Sequence, residues 1–368
     1  MGRKLRVGIL FGGRSGEHEV SILSAGSVYE ALDRDRFEPV AIAISREGTW
    51  YLVEDPEDIF KKGEIDFDKG IPVTILCQPL KNNFVTLDGR ALKPLDVVFP
   101  VLHGTFGEDG TVQGLLDLAG IPYVGAGVLA SAAGMDKVVM KKLFRQAGLP
   151  VVKDMAVMRR EFQKDPEKVI SCIEENISYP CFVKPANLGS SVGVSKAKNR
   201  KELIAALEEA SMYDRKLVVE QGVEAREIEC SVMGNDHPRC SVPGEIIPSG
   251  EFYDYEAKYL SGQSKLIIPA PLSREQQERV RSLAVEAFKA VDCSGLARVD
   301  FFVTKDTGEI YVNEINTMPG FTKISMFPKL WEASGVPYGE LLSQLIELAF
   351  ERHKDRNRNV TVYKELKK

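Results

Sequence analysis

Residues 297–316 read ARVDFFVTKDTGEIYVNEIN, and they carry the strongest physical signal in the sequence. Apolar and polar residues alternate on both sides of Lys305-Asp306-Thr307-Gly308, and a period of two predicts β-strands. A short connection that ends in glycine predicts that the two strands form a hairpin. The sequence therefore predicts an antiparallel pair of strands near the C-terminal end of the chain.

The polar positions of this hairpin predict a cation site. If Thr304 pairs with Ile310, four polar side chains share one face as two cross-strand pairs, Asp300 opposite Glu314 and Arg298 opposite Asn316. Opposed carboxylates repel and favour a bound cation, and oxygen ligands suit Mg²⁺ better than zinc. A solvated outer face with a surface ion pair is the alternative, and a one-residue slip would separate the carboxylates.

Composition limits the class of protein. The chain has 368 residues, 44% hydrophobic and 27% charged, which predicts two or three domains. A formal charge of −5 argues against a nucleic-acid partner. The apolar run Val7–Phe11 is too short for a signal peptide, and Leu118–Met135 is too mildly hydrophobic to span a membrane. We therefore expect a cytoplasmic chain with no membrane partner.

Cysteine and histidine usage points away from disulfides and zinc. The six cysteines include no C-x-x-C pair, so they are expected to be free thiols in a reducing compartment. Only four histidines are present, which argues against a multi-histidine metal centre.

The periodicity predicts three α+β blocks, at residues 1–125, 126–222 and 223–368. The first alternates strands and a helix, which predicts an α/β unit with a mostly parallel sheet, from Leu5–Phe11, Val20–Leu32, Phe37–Ile44 and Val97–Leu102. The second has a helix at Val128–Gly148, strands at Tyr179–Lys184, Val192–Ser195 and Leu217–Glu220, and a helix capped at Asn199. The third adds strands at Glu227–Met233 and Gly244–Ile247, a capping box at Ser273, the hairpin and a final amphipathic helix. Residues 46–95 show no clear period.

The chain lacks the two common nucleotide-binding motifs. No Gly-Lys dipeptide exists, which excludes a Walker A loop, and the first glycine turn does not fit G-x-G-x-x-G. The run Gly189-Ser190-Ser191-Val192-Gly193 matches the G-x-S-x-G nucleophile elbow, but an elbow needs a helix directly after it. A phosphate-binding loop beside Lys184 is favoured over the elbow, and a plain hairpin turn remains open. The loop Asn316–Phe321 could present the Gly320 amide to an oxyanion.

Five motifs in order resemble the D-alanine–D-alanine ligase family of the ATP-grasp superfamily. They are Glu17-His18-Glu19-Val20-Ser21, His103 to Gly110, Lys184-Pro185 with Gly-Ser-Ser-x-Gly, Asp254 to Tyr259, and Asn313 to Gly320. The resemblance covers about Val7 to Phe327. It implies a three-domain ATP-grasp fold with an N-terminal Rossmann-like domain, and ATP-dependent joining of two D-alanines through an acyl phosphate. It also implies a homodimer with small-molecule substrates.

The resemblance implies roles for particular residues. Asp300, Glu314 and Asn316 would hold two Mg²⁺ ions, with Mn²⁺ as a possible substitute. ATP would be bound by Lys137, Lys184, Ser190, Ser191, Glu220, Val223, Glu227 and Lys258. The substrates and the oxyanion would be bound by Glu17, His103, Ser190, Tyr259, Arg298, Gly320 and Ser325. Lys258 and Tyr259 would belong to a lid, and Tyr259 favours D-alanine over D-lactate as the nucleophile.

Three alternatives to this function remain open. A D-alanine–D-serine or D-lactate ligase, or another ATP-grasp carboxylate–amine ligase, would share the ATP and metal residues. An α/β-hydrolase would use Ser191 with a histidine. A non-catalytic nucleotide sensor would bind ATP without turnover.

Overall fold

The computed structural model describes residues 3–79, 83–247 and 265–360, and this part of the chain forms three β-sheets. The first sheet has the strand order β5-β4-β3-β2-β1-β6. Its strands are β1 (Leu5–Gly12), β2 (Phe37–Ile44), β3 (Trp50–Val53), β4 (Ile71–Ile75), β5 (Phe84–Thr86) and β6 (Val97–Pro100). Its helices are α1 (His18–Ala31), α2 (Glu57–Lys62) and α3 (Thr111–Ala119).

The expectation of a mostly parallel first sheet is wrong. Strand β1 pairs in parallel with β2 and β6, whereas β2–β3, β3–β4 and β4–β5 are antiparallel pairs. The link from β2 to β3, residues 45–49, is too short for the crossover that parallel neighbours need. The antiparallel half lies in the stretch where the sequence showed no clear period.

Side-chain alternation on β1 buries both faces of the first sheet. Val7 and Ile9 pack with α1 and with α11 (Tyr338–Arg356), whereas Leu10 packs with Leu116 of α3. Helix α11, which follows the third sheet in sequence, therefore covers the first sheet. The boundaries at residues 125 and 222 stay predictions.

The second sheet is antiparallel, in the order β7-β10-β8-β9. Its strands are β7 (Asp154–Met158), β8 (Cys181–Pro185), β9 (Ser195–Ala197) and β10 (Lys216–Gln221). The helices of this part are α4 (Val128–Met135), α5 (Lys137–Gln146), α6 (Arg159–Lys164), α7 (Pro166–Asn176) and α8 (Arg200–Tyr213). Helices α7 and α8 share a buried core with one face of the sheet.

Two predicted elements of this part differ from the structure. The helix expected at Val128–Gly148 is two helices, because the carboxylate of Asp136 accepts the amides of Val138 and Val139 and starts α5 anew. The strand expected at Val192–Ser195 begins only at Ser195. Before it, Ser190 and Ser191 have φ of 50° and 58°, so the backbone turns in the left-handed region instead of extending.

The third sheet has the order β14-β13-β11-β15-β16, with β12 paired to β11. Its strands are β11 (Ala225–Gly234), β12 (Arg239–Cys240), β13 (Gly244–Ile247), β14 (Lys265–Ile267), β15 (Gly295–Thr304) and β16 (Ile310–Asn316). Helix α9 (Arg274–Ala290) follows the predicted capping box of Ser273, and the sequence analysis did not predict α10 (Met326–Ala333). Helix α9 packs on one face, against Ile228, Val299 and Phe301.

The predicted hairpin forms, with its polar pairs as expected but with a different turn. Arg298 lies opposite Asn316 and Asp300 opposite Glu314. Thr304 does not pair with Ile310, because Val303 takes that place. The register shifts by one residue next to Asp300, so a β-bulge absorbs the difference between the turn and the polar end.

In the described ranges, no helix is both long enough and apolar enough to cross a membrane.

Candidate active site

A pocket lies between the second and third sheets. The second sheet contributes Lys184 of β8 and Glu220 of β10, and the third contributes carboxylates from β11, β15 and β16. These polar side chains project from the sheet faces opposite the helix-covered ones, because neighbouring residues of a strand point to opposite faces. Cations on one wall and carboxylates on the other suit a phosphate ester bound with a metal ion.

Two lysines hold the buried carboxylate of Glu220 at the back of this pocket. Lys184 Nζ lies 2.7 Å from Glu220 Oε2, and Lys141 Nζ lies 3.1 Å from Glu220 Oε1. Burial alone would raise the pKa of Glu220, but the charges of Lys141 and Lys184 outweigh it and lower that pKa to about 2. Burial lowers the pKa of Lys184, but the carboxylates of Glu220, Glu314 and Glu227 together outweigh burial and raise that pKa, so the Lys184 ammonium stays charged. The group carries a net positive charge where a nucleotide would bind.

The first residue of α5 joins the loop at 188–191 to the acidic strand. Lys137 Nζ donates a hydrogen bond to the carbonyl oxygen of Leu188 at 2.7 Å and lies 3.9 Å from the Glu314 carboxylate. The loop residues Ser190 and Ser191 line the same pocket. No helix follows Ser191, since the chain turns and enters β9. The nucleophile-elbow alternative lacks the geometry that it needs.

Three carboxylates form a row across the third sheet. Glu229 of β11 pairs with Asp300 of β15, and Asp300 pairs with Glu314 of β16. Arg298 neutralises part of this charge: its Nε and Nη2 donate to the two Asp300 oxygens, each at 2.7 Å. Asn316 Nδ2 also donates to Asp300, at 3.0 Å. Like charges placed side by side on a sheet repel, so the row favours a bound cation.

The donor set fits a hard divalent cation that is shared with phosphates. In the described part of the chain no three His, Cys, Asp or Glu side chains are arranged to hold a metal by themselves. Asp300, Glu314 and Asn316 offer two carboxylates and one amide, and each can coordinate a metal ion through oxygen. Mg²⁺ is usually held by one or two carboxylates together with substrate phosphates and water. The residues therefore fit Mg²⁺ in the presence of a nucleotide.

A second pocket begins where the first ends. Glu17, at the start of α1, is 8% exposed, and its carboxylate accepts a hydrogen bond from the Ser190 hydroxyl. A Cβ on Gly189 would lie 2.7 Å from Glu17 Oε2, so any other residue at this position would displace the Glu17 carboxylate. Glu17 is therefore a buried carboxylate that accepts from a hydroxyl and could bind a cationic group in this pocket.

Neutral His103 fixes the far wall of the second pocket. Burial lowers the pKa of His103, and Nδ1 donates to the carbonyl of Met318 at 2.9 Å. Nε2 then accepts from the Ser24 hydroxyl at 3.1 Å. The loop after β16 is thereby held against α1, with the predicted Gly320 and Ser325 in the pocket wall.

Glu108 lies where both pockets meet. Its Oε1 accepts the Gly104 amide at 3.1 Å. Burial first, and the nearby charge of Glu17 second, raise the pKa of Glu108 to about 8. Near neutral pH the carboxyl is therefore mainly protonated, and it adds little negative charge beside Glu17 and Glu314.

All predicted site residues within the described part line at least one of the two pockets. The first pocket is lined by Lys137, Lys184, Ser191, Glu220, Val223, Glu227 and Asp300. The second is lined by Glu17, His103, Arg298, Gly320 and Ser325. Ser190, Glu314 and Asn316 line both. Lys258 and Tyr259 lie outside the described residues.

Three residues of the site were missed by the sequence analysis: Lys141, Glu229 and Glu108. Lys141 lies one helical turn after Lys137 on α5, and Glu229 shares a strand face with Glu227, so the spacing held a signal for both. Glu108 belongs to the motif from His103 to Gly110, but only its burial distinguishes it from a surface acid.

Two sheets that enclose a polar pocket, with a second pocket adjoining it, are the arrangement of an ATP-grasp ligase. Family models described as D-ala D-ala ligase N-terminus and C-terminus match residues 6–126 and 143–347. The chain belongs to the D-alanine–D-alanine ligase family.

Relatives along the whole chain support this membership. The D-alanine--D-alanine ligase of Natranaerobius thermophilus is 54% identical, over 99% of this chain and 100% of that protein. The one of Geobacillus thermodenitrificans is 53% identical, over 96% of this chain and 97% of the relative.

Solved structures share the fold. The D-alanine-D-alanine ligase from Coxiella burnetii superposes with a TM-score of 0.84 at 40% identity, covering 97% of both chains. The VanG D-Ala:D-Ser ligase from Enterococcus faecalis superposes with a TM-score of 0.85 at 38% identity, over 94% of this chain and 100% of that one.

Proposed function

We propose that this protein joins two D-alanines into D-alanyl-D-alanine, with ATP converted to ADP and phosphate, for peptidoglycan precursor synthesis. The observation that carries the proposal is the wall shared by the two pockets, which contains Ser190, Glu314 and Asn316. A phosphate bound in the first pocket would face a carboxylate bound in the second across this wall. Such proximity is what phosphoryl transfer to a substrate carboxylate requires.

ATP would occupy the first pocket. Lys137 and Lys184 would contact phosphate oxygens, and the loop with Ser190 and Ser191 would cover them. Glu220 and Val223 would line the adenine site, with Glu227 on the ribose hydroxyls. Asp300, Glu314 and Asn316 would hold Mg²⁺, as two ions or Mn²⁺ in its place, and a bound divalent cation neutralises charge on the transferring phosphate.

The two D-alanines would occupy the second pocket. Glu17, oriented by Ser190, would bind the ammonium of the first D-alanine, so that its carboxylate faces the ATP γ-phosphate. Phosphoryl transfer converts this carboxylate into an acyl phosphate with a good leaving group. The amine of the second D-alanine, held at its own carboxylate by Ser325 with His103 nearby, attacks the acyl carbon.

The oxyanion that forms needs donors placed in advance. Arg298 and the amide of Gly320 line the second pocket and would provide them. The C–O bond to phosphate then breaks and the attacking nitrogen loses a proton, leaving the peptide bond and inorganic phosphate. Lys258 and Tyr259, as lid residues that exclude water, complete the proposal.

Phosphate release tests this function. The purified protein with Mg²⁺ and ATP should release phosphate with D-alanine, and much less with L-alanine, D-serine or D-lactate. Absence of stimulation by D-alanine would refute the proposal. A D-serine preference would support the second candidate, which the similarity to the D-Ala:D-Ser ligase structure favours.

Two variants separate this enzyme from the remaining alternatives. Ser191→Ala should mainly weaken ATP binding in a ligase, whereas a hydrolase would lose nearly all activity. Asp300→Asn should abolish most turnover, whereas a nucleotide sensor would show a changed affinity and no turnover in the parent protein. We also propose a cytoplasmic homodimer, which sedimentation velocity and cell fractionation test.

A further inference from the structure

Glu229 has no role in the function proposed so far, although it is among the best-buried acids of the site. It is 4% exposed and lines both pockets. Its Oε2 lies 3.0 Å from Arg298 Nε. A buried carboxylate is destabilising unless it is paired. The pairing with Arg298 meets this requirement and connects Glu229 to a residue of the proposed mechanism.

Arg298 is shared between two carboxylates of different strands. Asp300 accepts from Nε and Nη2, and Glu229 approaches the same Nε from β11. The guanidinium therefore lies between the two acids, and contacts with both set its orientation.

Asp300 and Glu229 differ in their other neighbours, because only Asp300 belongs to the proposed cation site. Asp300 shares the end of the hairpin with Glu314 and Asn316, where the proposed cation would bind, and Asn316 already donates to it. A carboxylate that binds a divalent cation gives up part of its charge to that cation and attracts a guanidinium less strongly. Arg298 would then need a second anion in order to stay in place.

We propose that Glu229 is the positioning residue that holds the Arg298 guanidinium toward the substrate pocket when Asp300 engages a cation. This inference rests on the proposed function, because Arg298 acts there on the oxyanion. Glu229 acts only through Arg298 and is not a catalytic residue. The register supports this, since Glu229 pairs with Asp300 while Arg298 pairs with Ser231, which places Glu229 diagonal to Arg298 on the same sheet face.

The test compares Glu229→Gln with a matched control in the same sheet. Glu245 also pairs with an arginine in a partly buried site, at 2.8 and 2.7 Å from Arg226 Nε and Nη2, but lines neither pocket. We expect Glu229→Gln to lower kcat about 10- to 100-fold, with KM for ATP within about threefold of the parent value. Glu245→Gln should keep kcat within about twofold, even if both variants lose thermal stability.

A double variant shows whether Glu229 acts through Arg298. If it does, Arg298→Lys and Arg298→Lys combined with Glu229→Gln should have the same kcat within about twofold. A further loss in the double variant would contradict the proposal. So would an unchanged kcat in Glu229→Gln alone.

Crystal structures with Mg²⁺ and a non-hydrolysable ATP analogue give a readout that does not depend on activity. The parent protein should keep Arg298 Nε within hydrogen-bond distance of Glu229, and Glu229→Gln should show the guanidinium turned away from the substrate pocket. An unmoved Arg298 with weakened Mn²⁺ binding would make Glu229 a metal ligand and overturn the proposal. If the parent protein lacked D-alanine-dependent turnover, the proposed function would fail, and these structures would still decide the role of Glu229.

Discussion

Glu108→Gln should change how the stability of the protein depends on pH. The carboxyl of Glu108 has a pKa of about 8 in the fold and an ordinary value of 4.5 when exposed, because burial and the charge of Glu17 both oppose ionisation. Between these two values the folded chain keeps a proton that the unfolded chain has released. Stability therefore falls as pH rises through this window, by about 1.4 kcal/mol per pH unit.

The full effect on the free energy of unfolding is about 5 kcal/mol above pH 8, from the gap between about 8 and 4.5. Glutamine does not titrate, and its amide oxygen can still accept the Gly104 amide. The stability of Glu108→Gln relative to the parent should thus increase from about pH 5 to pH 8 and then level off.

Urea unfolding in EDTA, at a series of pH values between about 5 and 9, measures this difference directly. Glu278→Gln is the control, since Glu278 lies on the exposed side of α9 in a solvated pair with Arg274. Its stability relative to the parent should hardly change with pH. A Glu108→Gln difference that is equally flat would refute the inference that the fold holds Glu108 protonated.

Three further substitutions test the site. Lys141→Met removes a positive charge behind the proposed ATP pocket, where Lys141 contacts Glu220. KM for ATP should therefore rise about tenfold in phosphate-release assays, and an unchanged KM would contradict a contribution of Lys141 to ATP binding. Gly189→Ala places a methyl group 2.7 Å from Glu17 Oε2 and displaces that carboxylate, so KM for D-alanine should rise about tenfold, more than KM for ATP, and an equal rise in both would contradict the role. Asp300→Asn should lower kcat about 100-fold or more and weaken Mn²⁺ binding measured by electron paramagnetic resonance, and unaltered Mn²⁺ affinity would exclude Asp300 as a ligand.

Much of the fold and site could be predicted from local patterns. The alternation of residues 297–316 predicted a hairpin and its two polar pairs, and the structure confirms both. The capping box at Ser273 and the cap at Asn199 were also confirmed. Such signals are local because a strand exposes every second side chain and a helix cap involves residues three apart.

Other predictions failed because a local sequence pattern does not show which distant segments pair with it. The pairing of Thr304 with Ile310 was wrong, yet the polar pairs were right because a bulge lies between the turn and the site. The first sheet turned antiparallel after β2, in a stretch with no readable period. Pairing partners come from other parts of the chain, so periodicity alone does not identify them.

The functional groups of the site can be read from the amino-acid sequence: the carboxylates of the hairpin, Lys184 on its strand, and the glycine–serine loop, in an order that resembles one family. How these charges act on one another depends on the tertiary structure. It buried Lys141 against Glu220 from a distant strand, placed Glu229 beside Arg298, and raised the pKa of Glu108 by removing it from water. Charge strength depends on burial and on neighbours, and both are set by packing between segments that are far apart in the chain.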